Sequence, residues 1–583
     1  MPQNPNTPTE MGYPKDQLEK CMERVYSNDY ADFTFRFNTQ ESWFPKDISD
    51  YCIQIVNSDY GILHINSSLI PPISSVTYGY DAIPVLYTLL DTTSMDDAGI
   101  TSVINQPYLN LAGEGIIIGF VDTGIDYQNP IFRKEDGSSK IVAIWDQSLA
   151  DGVKPFDLAY GSEFTKKDIE AALKAQDPLS IVPSKDENGH GTFLAGIAAG
   201  RQDSENSFTG AAPQAEIAMV KLKPAKDYLR SFFEIPDTAV AYQVTDILLG
   251  VSYLTDLARS LNKPMVICFS LGSNAGDHTN QNILERYLNQ VGSHIGYSVV
   301  IAGGNEGSRS HHYYGHITEQ GHSEDVEVRV GNGEKGFVME LWTEPSEIFS
   351  VGFVSPTGEY IEPITPKLRR SEVVTFVLEN TTINLSSGML SVESSAPAVL
   401  MRFHDPTPGI WRIRVQSFIT TTGIYHIWLP ITGFISSDTV FLRPDPDTTL
   451  TSPASTSNAL TVGAYDHINS GIYIYSSRGF TRDNLVKPDI VAPGVNVYGP
   501  GLNNTYTTMS GSSVAAAHAA GAAANLLSWS IVRGYEQGIG SNNIRAFLIR
   551  GATKTVGITY PSKEWGLGKL NLFHVFETLR LSV

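Results

Sequence analysis

Three short stretches of this chain hold the residue types needed for acyl transfer. Asp122-Thr123-Gly124-Ile125-Asp126 places acids directly after the apolar run Ile116-Ile117-Ile118-Gly119-Phe120-Val121. Asn188-Gly189-His190-Gly191-Thr192 sets a histidine between glycines, ahead of the small-residue run Phe193 to Gly200. Thr508-Met509-Ser510-Gly511-Ser512-Ser513 ends in Val514-Ala515-Ala516-Ala517-His518 and an Ala-rich run through Ala524. A hydroxyl can attack a carbonyl, an imidazole can take its proton, and a carboxylate can fix the imidazole tautomer and stabilise imidazolium. Taken singly the signals are weak. A serine at a helix start is usually an N-cap, an acid after a strand is commonly a turn residue, and a histidine among apolar residues is often part of the core. Together, Asp122, His190 and Ser513 form a nucleophile, a base and an orienter.

Each stretch needs an element to hold it. Alanine is the strongest helix former, so the run after Ser513 reads as a buried helix whose first turn carries free N–H groups and a positive dipole end. The β-branched run before Asp122 reads as a central parallel strand, and ligands in open α/β sheets gather at such carboxyl ends. Further strands are expected at Glu216 to Leu222, Met265 to Phe269 and Tyr297 to Ala302, with helices at Val244 to Leu261 and Asn282 to Val291. Strand and helix alternate as in a doubly wound parallel sheet. Residues 127 to 187 read as a polar loop region. From about Glu324 to Arg443 the pattern changes to alternation broken by Pro-Gly and Thr-Gly turns, as in Val326 to Val330, Trp411 to Val415 and Tyr425 to Leu429, which predicts an all-β insertion, sandwich or jelly roll. The α/β pattern returns at Leu460. Ahead of it all, Phe33 to Phe37, Cys52 to Val56 and Gly61 to Ile65 are strand-like pieces of a small region.

Composition sets the outer limits. With 583 residues, 42% hydrophobic and 18% charged, the chain has material for several folded regions. A net charge of −21 argues against nucleic acid or an anionic membrane as partner. Cys21, Cys52 and Cys268 are odd in number and widely spaced, so neither a disulfide scaffold nor a cysteine zinc site is expected. The polar start Met1-Pro2-Gln3-Asn4-Pro5 lacks the basic and apolar regions of a secretory signal. His518, Asn525 and Ser528 interrupt the Ala-rich run, which suits a core helix better than a membrane span.

The three stretches, in the order Asp, His, Ser, resemble the signature blocks of subtilisin-like serine proteases. Gly304-Asn305 resembles the family's oxyanion-hole asparagine, and Ser270-Leu271-Gly272 its substrate-pairing edge. Gly210-Ala211-Ala212-Pro213, Lys487-Pro488-Asp489-Ile490 and Ala492-Pro493-Gly494 match further blocks. The match covers residues 98–320 and 446–583. It departs from the family at Ser512, Val514 and Ala517, where Thr, Met and Pro are usual. More narrowly, Asn305-Glu306-Gly307 ahead of His311-His312-Tyr313-Tyr314, and the insertion with Gly409-Ile410-Trp411, resemble clostridial Csp-type germination proteases.

The resemblance implies an α/β fold: a subtilisin-like doubly wound parallel sheet, an inserted all-β jelly-roll or sandwich domain, and a small N-terminal α+β pro-domain-like region. The expected boundaries are 1–97 for the pro-domain-like region, 98–322 and 446–583 for the catalytic domain, and 323–445 for the insertion. It implies a serine endopeptidase with Ser513 as nucleophile, His190 as base, Asp122 as orienter and Asn305 as oxyanion donor. Ser270, Leu271, Gly272, Ala302, Gly303 and Gly304 would line the substrate. The partner is a protein or peptide substrate cut at limited positions, such as a zymogen, with no cofactor and no metal. The setting is cytoplasmic or spore-associated. The alternative is a catalytically weak or inactive binding or scaffold protein on the same fold.

Rival chemistries are less well supplied. Asp122-Thr123-Gly124 could be half of an aspartic protease, but no second copy exists to share a proton. His311, His312 and His316 lack a fourth ligand at zinc spacing. Asp126 and Asp277 lack an EF-hand-type loop for calcium.

Overall fold

The computed structural model describes residues 29–36, 52–55, 60–69 and 93–580, save 157, 159, 226, 366–369 and 390–396. The chain divides into two compact units, Met1–Leu89 and Leu90–Val583. In the first, Tyr60–Asn66 pairs antiparallel with both Tyr30–Arg36 and Cys52–Ile55. Leu63 and Ile65 alternate into its buried side. Cys52 is disulfide-bonded, a single link rather than a scaffold.

The second unit is built on an eight-stranded sheet. In spatial order its strands are Ile490–Pro493, Leu460–Tyr465, Tyr297–Ala302, Met265–Phe269, Ile117–Asp122, Glu216–Lys221, Ile141–Asp146 and Ser162–Thr165. All pairs are parallel except the last, so the sheet must be covered on both faces. The central strand shows the consequence. Ile116, Ile118 and Phe120 pack with the helices His190–Ala199 and Ser512–Leu527, while Ile117 and Val121 pack with Val244–Leu261 and Ile283–Gly292. The Val244–Leu261 helix buries Ile247, Val251, Leu254 and Ala258, the i, i+4, i+7 stripe that the sequence pattern predicts. This is the expected doubly wound α/β architecture.

One part of the reading fails. Residues 127–187 are not simply loop, for they contain the strands Ile141–Asp146 and Ser162–Thr165 and the helix Lys166–Ala172. Ile141-Val142-Ala143-Ile144-Trp145 is an apolar run of ordinary buried-strand length, and its short span between polar stretches hides it.

Between Tyr297–Ala302 and Leu460–Tyr465 the chain forms two antiparallel sheets. One holds six strands, in the order His312–His316, Ile424–Trp428, Gly336–Thr343, Pro397–His404, Thr382–Met389 and Arg370–Thr375. The other holds five, in the order Tyr360–Ile364, Ile348–Val354, Gly409–Ile419, Ser323–Val330 and Val440–Phe441. Side chains from both sheets share one core, including Val326, Val328, Phe337, Met339, Phe353, Phe403, Trp411 and Tyr425. The alternation read along Val326–Val330 and Trp411–Val415 is this inward and outward pleat. Among the described residues, no helix is long and apolar enough to cross a membrane.

Candidate active site

Asp122 ends the central strand and is buried, with 1% of its side chain exposed. His190 is the first residue of the His190–Ala199 helix, and its Nδ1 lies 2.8 Å and 3.0 Å from the two Asp122 carboxylate oxygens. Helix and strand meet this closely because Gly191 has no Cβ, which would stand 2.2 Å from the Gly124 carbonyl oxygen and 3.2 Å from Asp122 Oδ1. The Thr123 N–H donates to Asp122 Oδ1 at 2.7 Å. A carboxylate can only accept, so the imidazole carries its proton on Nδ1 and Nε2 is left as the basic nitrogen. Burial lowers the His190 pKa, but the Asp122 charge and hydrogen bond, with the charge of Asp186, outweigh it and raise the value above the usual 6.5. The pair is therefore poised to accept a proton and hold it.

Asp186 was not among the residues singled out from the sequence. Its buried carboxylate accepts five hydrogen bonds, from Thr123 Oγ1, the N–H groups of Asn188 and Gly189, and the N–H and hydroxyl of Thr192. It thus ties the Asp122 turn to the start of the His190 helix. An acid a few residues ahead of a small-residue helix is a helix-start signal that could have drawn attention to it.

Ser513 is the second residue of the Ser512–Leu527 helix. Neither serine caps that helix, because Gly511 holds the N-cap position. Asn305, from the loop after Tyr297–Ala302, supplies the missing acceptor, its Oδ1 taking the Ser512 N–H at 2.9 Å. That leaves Asn305 Nδ2 as the end able to donate, and the Ser513 N–H sits in a first turn with no intrahelical carbonyl to meet it. The Ser512 hydroxyl accepts from the Gly304 N–H at 3.0 Å, locking the asparagine loop onto the helix. The two serines are thereby separated: Ser512 is buried and occupied, whereas Ser513 is half-buried. The Ser513 hydroxyl donates to the Ser270 carbonyl at 3.3 Å rather than to His190.

Ser270, Leu271 and Gly272 follow the Met265–Phe269 strand, and Gly272 is exposed. Ala302 is buried at the end of its strand, in register with Val462. Gly303 is also enclosed: its N–H donates to the Val462 carbonyl and its own carbonyl accepts from Thr451. Gly304 alone of the three is half-buried. It requires glycine, since φ is +105° and a Cβ would stand 2.6 Å from Thr451 Oγ1. Of the three, therefore, only Gly304 presents any surface, and its N–H and carbonyl are already engaged by Ser512 and Ser477.

The rival ligands have other partners. His311 lies on Glu306, His312 on His426, and His316 on the Thr422 carbonyl. Asp126 accepts from the N–H groups of Gln128 and Asn503. Among the described residues, no group of three or more His, Cys, Asp or Glu could hold a metal ion. A cavity of about 410 Å³, lined by residues that include Gln147, Tyr160, Lys223 and Asp246, shares none of the expected site residues.

Residues 113–334 and 442–568, more than half of the chain, match the family model described as the subtilase family. The chain belongs to the subtilase family. The interruption of the match falls within the two antiparallel sheets. The solved structure of the Clostridium perfringens CspB protease is similar over 84% of this chain and 97% of that one, at 33% identity and a TM-score of 0.75. The PI-type proteinase of Lactococcus lactis subsp. cremoris is 23% identical over 71% of this chain, but the match covers only 22% of that much longer protein. A subtilisin of Bacillus sp. (strain TA39) is 24% identical over 39% of this chain and 43% of its own length.

Proposed function

We propose that this protein is a serine endopeptidase working through Asp122, His190 and Ser513, with Asn305 and the Ser513 N–H as oxyanion donors. The observation that carries the reading is the His190–Asp122 pair, which leaves Nε2 basic at the start of a helix that shares its core with the Ser512–Leu527 helix. Ser513 Oγ attacks the scissile carbonyl as its proton passes to His190 Nε2. The imidazolium is held by Asp122, and the carbonyl oxygen takes up negative charge between Asn305 Nδ2 and the Ser513 N–H. His190 returns the proton to the departing amine. Water then attacks the acyl-enzyme by the same route in reverse.

The resting contact of Ser513 with the Ser270 carbonyl gives the first step a trigger. An extended substrate adding as a strand along Ser270, Leu271 and Gly272 presents an N–H to that carbonyl. The serine hydroxyl is then displaced toward His190. Limited cleavage of a protein such as a zymogen, in a cytoplasmic or spore-associated setting, rests on the resemblance of the Asn305-Glu306-Gly307 and Gly409-Ile410-Trp411 motifs to Csp-type germination proteases, and the likeness to the CspB protease supports proteolysis itself.

The second reading, a catalytically weak subtilase that binds a partner, is favoured only by that same Ser513–Ser270 contact. A fluorophosphonate probe separates the two. The folded wild type becomes labelled and Ser513→Ala does not; a folded but unlabelled wild type refutes the enzyme reading.

A further inference from the structure

The residue after Asn305 is an acid with no place in the chemistry above. Glu306 is buried, 3% exposed, yet both carboxylate oxygens are engaged. Oε2 accepts from Asn274 Nδ2 at 3.2 Å and from His311 Nδ1 at 2.6 Å, and Oε1 accepts from the Thr432 N–H at 3.2 Å. A carboxylate so enclosed is not offered to substrate. Its own N–H donates to Ser477 Oγ at 3.0 Å, while Ser477 N–H donates to the Gly304 carbonyl at 3.0 Å. Asn305 is therefore held between two anchored neighbours.

The partners of Glu306 come from two places. Asn274 lies just beyond the Ser270–Gly272 edge, whereas His311 and Thr432 flank strands of the antiparallel insertion, His312–His316 and Ile424–Trp428. Asn274 Nδ2 also reaches the Leu429 carbonyl at 3.2 Å, and the Leu429 N–H donates to the His311 carbonyl at 2.9 Å. A second set of contacts grips the same edge segment. The Gly276 N–H donates to Glu340 Oε2 at 2.9 Å, and the His278 ring stacks on Trp428 with centroids 4.1 Å apart.

We propose that Glu306 is a positioning residue through which the inserted β-sheets hold the Asn305 oxyanion donor and the substrate edge in register. The inference rests on the serine endopeptidase reading. The insertion is thus a structural part of the oxyanion site. Its leverage is direct, because the chain enters the insertion only a few residues after Asn305. Glu306→Gln tests this, since it replaces an acceptor-only group with one whose NH₂ meets either the Thr432 N–H or both Asn274 Nδ2 and His311 Nδ1.

The experiment is a double-mutant cycle in the full chain: wild type, Glu306→Gln, Asn305→Ala and the double variant. Each is measured for kcat and KM on a peptide ester and for affinity toward a peptide aldehyde that forms a tetrahedral adduct with Ser513. Displacing a catalytic donor by a fraction of an ångström predicts a kcat loss of about 10- to 100-fold, KM within about twofold, and a parallel loss of aldehyde affinity. In the Asn305→Ala background the effect of Glu306→Gln shrinks to about twofold or less, because it acts through the missing amide. An unchanged kcat, or an undiminished effect in that background, overturns the proposal. Should Glu306→Gln fail to fold by circular dichroism, Asn274→Ser, which removes only the bridging amide, takes its place in the cycle with the same criteria. A folded wild type without Ser513-dependent turnover overturns the enzyme reading and this inference together, whereas an active wild type with an additive cycle overturns this inference alone.

Discussion

The two halves of the site are built differently. The Asp122–His190 half is assembled within the α/β framework, where strand end, helix start and the Asp186 carboxylate lock one another through short hydrogen bonds. The Ser513–Asn305 half joins a helix start to a loop that leads directly into the insertion, and its anchors include Thr432 and His311 from that region. The difference teaches where tuning can enter. The proton-transfer half is supported within the α/β framework, while the charge-stabilising half shares its support with the inserted sheets. A change outside the sheet can therefore reach the oxyanion without disturbing the acid–histidine pair.

Substitutions in each half can sharpen or break that contrast. The largest effect is expected from Asp122→Asn, which removes the charge and the tautomer control together and lowers kcat by about 10⁴-fold. It also moves the pH profile. The raised His190 pKa places the acid limb of kcat/KM above pH 6.5, because the neutral base form accumulates only above that pKa. Without Asp122, burial dominates and the limb shifts to lower pH; a limb that stays put contradicts the pairing. In the wild type the same shift stabilises the fold below the unfolded-state pKa, and that contribution fades as pH rises through the folded-state value.

Next comes Asn305→Ala, with an expected loss of about 10²- to 10³-fold in kcat and an acid limb that does not move. A moved limb would show that the halves are not separate. Asp186→Asn is expected to cost about 2–3 kcal/mol in urea unfolding, since an amide would face donors where five now meet a carboxylate. Smallest is Ser477→Ala, which leaves the buried Glu306 N–H without its acceptor and costs about 1–2 kcal/mol. Combined, these two should add within about 0.5 kcal/mol if the halves are independent.

Much of this was legible in the sequence where pattern and chemistry coincide. Met265–Phe269, Tyr297–Ala302 and Val244–Leu261 lie where the apolar runs and helical stripe predict them. The alternating segments of the insertion fall inside its strands. Ile141–Asp146 escaped because a short apolar run between polar stretches has no periodicity to declare it. The serine capping reading failed for another reason: the capping acceptor for the Ser512 helix comes from Asn305, about 200 residues away in the chain. Asp186 is not singled out by the sequence, and Glu306 stands out only as part of a motif, because a buried carboxylate reads as an ordinary solvated acid until the fold brings its donors together. Ala302 is expected to line the substrate, but its strand register buries it beside Val462.

The central claim is that Ser513, and not its neighbour, is the nucleophile. Peptide mapping of the fluorophosphonate adduct by mass spectrometry tests it most directly, on the wild type and on Ser512→Ala. The account predicts the adduct on Ser513 in both proteins, with Ser512→Ala labelled more slowly because the Gly304 N–H has lost its acceptor. An adduct on Ser512, or on any serine outside the Gly511–Val514 turn, would contradict it.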